Sequence, residues 1–280
     1  MPTHQPPTPV RLRAGDLHAA IDSSRGIVEL TTPAGTRLAR LRLAAGIDTL
    51  DGPDELDRSR LALRARGDRG EVTLAQASSI WDQHLTTIRA RSGALEVDTT
   101  VTGQGAITTI HQLGLRGVGQ GFLASDAVHR TLFAPTPDQP WRVLRTAAES
   151  AALGVVGDGG EPGLGRWLFT PPPLCLGLSP EKGDDADPPS GPWLMVGVAA
   201  ARRPFTQFTY EALTPGFSLR YDYDAHTVVD GSFTTPTLLF FLADDPYEGL
   251  ASYRELLEQR GLVPARPQPE PSAVWREPMF

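Results

Sequence analysis

Hydrophobic and polar positions alternate along most of this chain with the two-residue period of β-strands. In residues 95–102, Leu, Val, Thr and Val occupy the odd positions, and Glu, Asp, Thr and Thr occupy the even ones. This pattern is typical of a strand with one face in a core and the other toward solvent. Similar segments, separated by turn residues, span 27–30, 38–43, 61–66, 72–77, 85–91, 107–115, 193–201, 208–210, 217–223 and 236–243.

The sequence also predicts turns and irregularities of these strands. The dipeptide Asp230-Gly231 and residues 67–70 are typical of turns between strands. The alternation slips by one position within residues 107–115, which predicts a β-bulge there. Residues 236–243 are almost continuously apolar, as expected for a strand that is buried on both faces.

About fourteen strands are predicted before residue 245, at the spacing typical of all-β domains. An immunoglobulin-like domain has only about seven strands. The sequence therefore predicts a mainly β protein, built as one large two-sheet antiparallel β-sandwich over residues 10–244. Residues 1–9 are proline-rich, and we expect them to form a disordered leader.

One strong helix signal lies near the end of the chain, at residues 245–261. Asp245 suits the N-cap, Pro246 suits the first helical position, and Glu248 completes a capping-box pattern. Gly261 suits the position that ends a helix. The apolar stripe that we expect to pack on the sandwich consists of Leu250, Tyr253 and Leu257.

After this helix, a proline-rich linker leads to an apolar, aromatic segment from Ala273 to Phe280. An apolar segment after a linker is how a new domain begins. We therefore expect residues 262–280 to contain a linker and the first strand of a separate domain.

Charge and cysteine content exclude several classes of protein. The formal net charge is −7 and the arginines form no basic run, which argues against a nucleic-acid partner. Cys175 is the only cysteine, so neither an intrachain disulfide nor a thiolate metal cluster is expected. The sequence has no signal-peptide pattern, and it lacks an apolar run of the roughly 18 residues that a membrane span needs. We therefore expect a cytoplasmic protein with no membrane partner.

Candidate chemistry is sparse. The six histidines lack metal-binding spacing, so the sequence predicts neither a metal site nor a cofactor. Tryptophans beside polar residues are better candidates, because a flat indole ring can cover the C–H face of a sugar. The predicted sugar-binding residues are Trp141, Asp138 and Trp81. The competing interpretation of each tryptophan is a side chain half-buried at a sheet edge.

Short stretches after residue 190 carry a family resemblance. They are Gly191–Gly197, Phe205–Tyr210, Phe217–Tyr223, Gly231–Pro236, Asp244–Pro246 with Tyr253-Arg254, and Trp275–Phe280. In this order they resemble the end of the N-terminal β-sandwich domain of the α-galactosidase and raffinose-synthase-like glycoside hydrolases. These enzymes form the clan of family 36, which is related to family 31.

The resemblance implies a non-catalytic sandwich domain of a glycosidase that acts on α-linked sugars. In that family the catalytic aspartates lie on the strands of a (β/α)8 barrel, and the corresponding positions would follow Phe280. No catalytic residue is therefore carried over to this chain. The implied partners are the missing catalytic barrel, an oligosaccharide at the rim of its active site, and further copies of the chain.

Two other interpretations use the same fold. The first is a stand-alone carbohydrate-binding or mutarotase-like sandwich protein. A mutarotase needs a histidine and a carboxylate on the concave sheet face, where they move a proton at the anomeric centre. His84, His111 and His129 are available, although the sequence assigns none of them a carboxylate partner. The second interpretation is an assembly module that binds no ligand.

Overall fold

The computed structural model of the chain confirms a mainly β fold with two antiparallel sheets and one helix near the C-terminal end. It describes residues 9–43, 45–55, 57–66, 70–113, 131–133, 141–143, 155–156, 174–181, 189–200, 207–212 and 217–264. Most of the predicted leader and most of residues 262–280, including Trp275 and Phe280, lie outside these residues. The expectations for those two segments therefore stay predictions.

The smaller sheet contains the first four strands in sequential order. They are β1 (Val10–Ala14), β2 (Leu17–Asp22), β3 (Ile27–Thr31) and β4 (Arg37–Arg42). Their side chains alternate between a buried apolar face and a polar face, on which Arg37 pairs with Glu29 at 2.6 Å. This alternation is what a sheet with one solvated face requires.

The larger sheet has thirteen strands, and the longest of them, β9 (Ala94–Gln112), organises the others. Those others are β5 (Gly46–Thr49), β6 (Asp57–Arg66), β7 (Glu71–Ala77), β8 (Gln83–Arg91), β10 (Thr131–Phe133), β11 (Trp141–Val143), β12 (Val155–Val156), β13 (Cys175–Ser179), β14 (Trp193–Ala199), β15 (Gln207–Ala212), β16 (Phe217–Thr234) and β17 (Thr237–Ala243). One edge of β9 pairs with β8 and then β5, and the other edge pairs with β17 and then β16.

The predicted bulge in the second half of β9 is confirmed. Thr108 is an extra residue of β9 relative to the register of β5. On the other edge of β9, the register of β16 shifts between Asp222 and Thr227. Both neighbours of β9 are thus irregular at the same level of the sheet.

The predicted turn at Asp230-Gly231 is wrong. Both residues lie inside β16, where they pair with Gln104 and Gly103 of β9. Gly103 and Gly231 face each other and have positive φ angles of 146° and 111°. Because glycine tolerates such angles, the two strands distort together at this level and continue.

The main core lies between the two sheets and contains buried residues of both. A second core lies on the opposite face of the large sheet, under the helix. Strand β17 contributes to both, because Leu238 and Phe240 belong to the main core and Leu239 and Phe241 to the second. This confirms the prediction that residues 236–243 contain a strand buried on both faces.

The predicted helix is confirmed as α1 (Pro246–Gln259). The Asp245 carboxylate accepts hydrogen bonds from the backbone N–H groups of Tyr247 and Glu248, at 2.8 and 3.1 Å. Gly261 follows with a φ of 66°. The predicted stripe is shifted, since Tyr253 and Leu256 are buried, whereas Leu250 and Leu257 are only partly buried.

Close packing places α1 on the second core. The Tyr253 hydroxyl donates to the Val198 carbonyl at 2.6 Å, and its ring covers Gly197. Met195 fills the space beside Gly249 of the helix in the same way. Glycine on the strand and glycine on the helix thus allow the two elements to approach closely.

Candidate functional site

A cluster of polar residues lies on the face of the large sheet that points away from the small sheet. Ile47 of β5, Ile110 of β9 and Tyr221 of β16 belong to the main core. Since successive side chains of a strand point to opposite faces, their neighbours point away from that core. These neighbours, which we call the outer polar cluster, are Asp48, Thr109, His111, Arg220 and Asp222.

Strand register arranges the outer polar cluster in two adjacent rows. Asp48, Thr109 and Asp222 form one row across three strands, and Gly46, His111 and Arg220 form the next. Diagonal neighbours on a sheet face remain within reach of long side chains. The two carboxylates therefore lie diagonally on either side of His111.

The central contact of the cluster joins a histidine to a carboxylate. His111 Nε2 lies 3.5 Å from Asp48 Oδ2, and the two side chains are 12% and 7% exposed. The pair is thus largely enclosed, and a small part of the His111 side chain remains exposed. Imidazole and carboxylate groups are the side chains most often used for proton transfer near neutral pH.

Open space adjoins this pair at Gly46, the residue directly opposite His111. A Cβ atom placed on Gly46 would meet no atom within 4 Å. The missing side chain therefore leaves a gap on the outer face, beside the imidazole. A ligand atom in this gap would lie next to His111.

Arg220 and Asp222 form the other half of the cluster. The Arg220 Nε group lies 3.0 and 3.2 Å from the two carboxylate oxygens of Asp222. Their side chains are 12% and 17% exposed, so both groups are held in place and still reach solvent. Charged groups fixed in this way provide strong hydrogen-bond donors and acceptors for a polar ligand.

Backbone strain marks the same place. Asp224 and Ala225, in the register shift of β16, have positive φ angles of 48° and 61°. Two consecutive non-glycine residues in this region are uncommon. Bulges and strained residues concentrate at functional sites, where they redirect side chains. The register shift begins directly after Asp222.

A second polar group lies behind Asp48, and the side chains of its two titratable residues, Asp54 and His84, are fully enclosed. The backbone N–H of Asp54 donates to Asp48 Oδ1 at 2.9 Å, and the Ser78 hydroxyl donates to Asp54 Oδ1 at 2.5 Å. His84 Nε2 lies 3.9 Å from Asp54 Oδ2. Burial lowers the pKa of His84 to about 4. Burial also raises the pKa of Asp54, against the effect of its hydrogen bond from Ser78.

Two of the three predicted sugar-binding residues, Trp81 and Trp141, are among the described residues, and they lie in different regions. Trp81 is 3% exposed, and its indole N–H donates to the Ile47 carbonyl at 3.0 Å. Trp141 begins β11, five strands away from β9 in the sheet order. Asp138 lies outside the described residues. The sugar-binding role of these three residues stays a prediction.

Of the three histidines considered from the sequence, two have carboxylate neighbours. His111 faces Asp48, and buried His84 faces Asp54, whereas His129 lies outside the described residues. Sequence reasoning missed both partners. Asp48 gave no signal because it belongs to a four-residue strand that is buried throughout and shows no alternation of burial. Arg220 and Asp222 did carry a signal, since they alternate with residues of the main core within a predicted strand.

Within the described part of the chain, no helix is long and apolar enough to cross a membrane. Nor do any three of its His, Cys, Asp and Glu side chains form a group that could hold a metal ion.

Comparisons with known proteins give no family. No protein-family model matches the chain, and no curated protein matches it. Among solved structures, the chain is similar to the Slr1438 protein from Synechocystis sp. PCC 6803, with 9% identity, a TM-score of 0.45, and coverage of 86% of this chain and 97% of that one. It is also similar to a galactose mutarotase-like protein from Lactobacillus casei ATCC 334, with 12% identity, a TM-score of 0.47, and coverage of 84% and 100%. With TM-scores below 0.5, neither likeness assigns a family or a function to this chain.

Proposed function

We propose that this chain interconverts the anomers of a reducing sugar, as an aldose 1-epimerase. The observation that carries the proposal is the 3.5 Å contact between His111 and Asp48 on an outer sheet face. The gap at Gly46 supports it by leaving room for a ligand beside the imidazole. Carboxylate, guanidinium and hydroxyl groups of the outer polar cluster match the many hydroxyl groups of a sugar.

Anomerisation needs two proton transfers and no other reactant. A base removes the proton of the anomeric hydroxyl while an acid protonates the ring oxygen, and the bond from C1 to the ring oxygen breaks. Rotation about the bond between C1 and C2 then exposes the other face of the aldehyde. Ring closure reverses both proton transfers, so the groups return to their starting states.

We assign the roles by position. His111 exchanges the proton of the ring oxygen, and Asp48 orients the imidazole through its 3.5 Å contact. Asp222 takes the proton of the anomeric hydroxyl, because it is the carboxylate on the other side of His111 and is more exposed than Asp48. Arg220 holds Asp222 in place through its Nε group.

The test is the rate at which pure α-glucose or α-galactose approaches anomeric equilibrium, followed by polarimetry. The unaltered chain is expected to accelerate this approach, and His111→Asn and Asp222→Asn are each expected to reduce the rate by roughly 10²–10⁴-fold. His18→Asn on β2, in the small sheet, serves as the control and should keep full activity. No acceleration by the unaltered chain, or full activity in His111→Asn, would contradict the proposal.

A second candidate is the sandwich domain of a glycosidase, with a catalytic barrel as its partner and an oligosaccharide at the shared rim. The observation that favours it is the capped helix α1, which packs on the large sheet where a linker helix would. This candidate predicts no anomerase activity and no turnover of aryl α-galactosides by the chain alone. A barrel-like reading frame directly after the codon of Phe280 would support it.

A further inference from the structure

Two buried titratable residues take no part in the proposed proton transfers. Asp54 is 7% exposed and His84 is 1% exposed. Burying a carboxylate is unfavourable unless hydrogen bonds compensate for its lost hydration. The contacts of Asp54 therefore indicate what this residue does.

Asp54 contacts β5 at two points and the segment after β7 at a third. Its backbone N–H donates to Asp48 Oδ1 at 2.9 Å, and its carboxylate oxygen Oδ2 accepts from the Ile47 N–H at 3.4 Å. Its other oxygen accepts from the Ser78 hydroxyl. Backbone and side chain of one residue thus hold the strand that carries Asp48.

The turn at residues 78–81 makes this arrangement rigid. The Ser78 hydroxyl oxygen accepts hydrogen bonds from the N–H groups of Ile80 and Trp81, at 3.1 and 2.9 Å. The Trp81 indole in turn donates to the Ile47 carbonyl at 3.0 Å. Asp54 is therefore fixed between β5 and a turn that is itself bonded to β5.

The consequence for Asp48 follows from its two oxygens. Oδ1 is held by the Asp54 N–H, and Oδ2 faces His111 at 3.5 Å. Fixing one oxygen of a carboxylate fixes the direction of the other. We propose that Asp54 is a positioning residue, which holds Asp48 so that its second oxygen is aimed at the imidazole of His111. The catalytic meaning of this role rests on the proposed anomerase activity, whereas the structural link does not.

The test uses the conservative variant Asp54→Asn. An amide in this place offers an NH₂ group where a carboxylate oxygen accepted a hydrogen bond, so one of the contacts to Ile47 or Ser78 is lost. Asp51→Asn, an exposed acid in the same loop, is the matched control. The readout is the pair of ring-nitrogen NMR resonances of His111, identified by their loss in His111→Asn, together with kcat and KM.

We expect Asp54→Asn to shift the His111 ring resonances and to lower kcat by roughly tenfold to a hundredfold, with KM within about twofold. Asp51→Asn should change none of these quantities. Unchanged His111 resonances in a folded Asp54→Asn variant would overturn the proposal. If that variant does not fold, Ser78→Ala keeps the Asp54 carboxylate and its bond from Ile47, removes the bond from Ser78, and must shift the same resonances.

Failure of the two proposals can be told apart. Shifted His111 resonances in a chain that accelerates no anomerisation would refute the proposed function and leave the positioning role intact. If the chain is an anomerase and Asp54→Asn changes neither its activity nor the His111 resonances, the positioning role alone is refuted.

Discussion

Gly46 leaves space beside His111 in the outer polar cluster, and the use of this space by a substrate can be tested. Gly46→Val would place two methyl groups in the gap beside His111, where a Cβ atom meets nothing within 4 Å. We expect kcat/KM for anomerisation to fall by roughly tenfold or more, because overpacking a contact costs about 1–3 kcal/mol. The melting temperature should not fall, since valine suits a strand better than glycine does.

The control for this change is Ala20→Val in β2, which adds the same methyl groups to the polar face of the small sheet. It should alter neither activity nor melting temperature. A Gly46→Val variant with full activity would show that the substrate does not occupy the gap.

At the residue scale, the sequence predicted chemistry less well than it predicted burial. Tryptophans beside polar residues stood out as candidates for sugar binding. The indole N–H of Trp81 instead donates a hydrogen bond inside the structure, to the Ile47 carbonyl. Asp48 gave no signal, because its role depends on a register between β5 and β9 that no local pattern encodes. His111 was a candidate without a partner until strand pairing supplied one.

At the element scale, local patterns predicted the long strands and the helix well. The cap at Asp245 and the glycine at position 261 suffice to define α1, because both signals act within a few residues. The continuity of β16 through Asp230-Gly231 was missed, because it depends on Gly103 in a strand more than a hundred residues earlier. Pairing partners, rather than propensity, decided the outcome there.

The docking of α1 offers a prediction at the same scale. A Cβ atom at Gly197 would lie 2.6 Å from the Tyr253 ring, so Gly197→Ala should push the helix away from β14. We expect a loss of roughly 1–3 kcal/mol in the free energy of unfolding, measured with urea. Tyr253→Phe should cost about 1 kcal/mol, since it removes the hydrogen bond to the Val198 carbonyl and keeps the ring.

Tyr247→Phe is the control for both changes, because Tyr247 is 49% exposed. Combining Gly197→Ala with Tyr253→Phe should cost less than the sum of the single changes, since the first already disturbs the contact that the second removes. If the losses in free energy of unfolding are strictly additive, other contacts hold α1 on the large sheet.

At the scale of the whole molecule, a two-sheet sandwich leaves one face of the large sheet free of the main core. Part of that face is covered by α1 and its apolar core, and another part carries the outer polar cluster. The architecture could be predicted from strand count and spacing. The division of the outer face could not, because it depends on which strands become neighbours of β9.

The stability of the whole molecule should depend on pH through His84. Burial lowers the pKa of His84 to about 4, whereas an unperturbed histidine has a pKa of 6.5. Between these values the unfolded chain binds a proton that the folded chain does not. The contribution of His84 is therefore fully present above pH 6.5 and is lost as the pH falls toward 4. Its size is about 3 kcal/mol.

Other buried groups work in the opposite direction, so the measurement must isolate His84. Burial raises the pKa values of Asp54 and Asp98, and their contribution to stability grows as the pH falls through those raised values. We therefore compare the unaltered chain with His84→Gln, which retains both aspartates, and with His226→Gln, which changes an exposed histidine. Urea unfolding between pH 7.5 and pH 4.5 should show that the unaltered chain loses more free energy of unfolding than His84→Gln does, by an amount that approaches about 3 kcal/mol. His226→Gln should show the same pH dependence of stability as the unaltered chain. If the free energies of all three proteins change in parallel with pH, His84 is protonated in the folded state as readily as in the unfolded one.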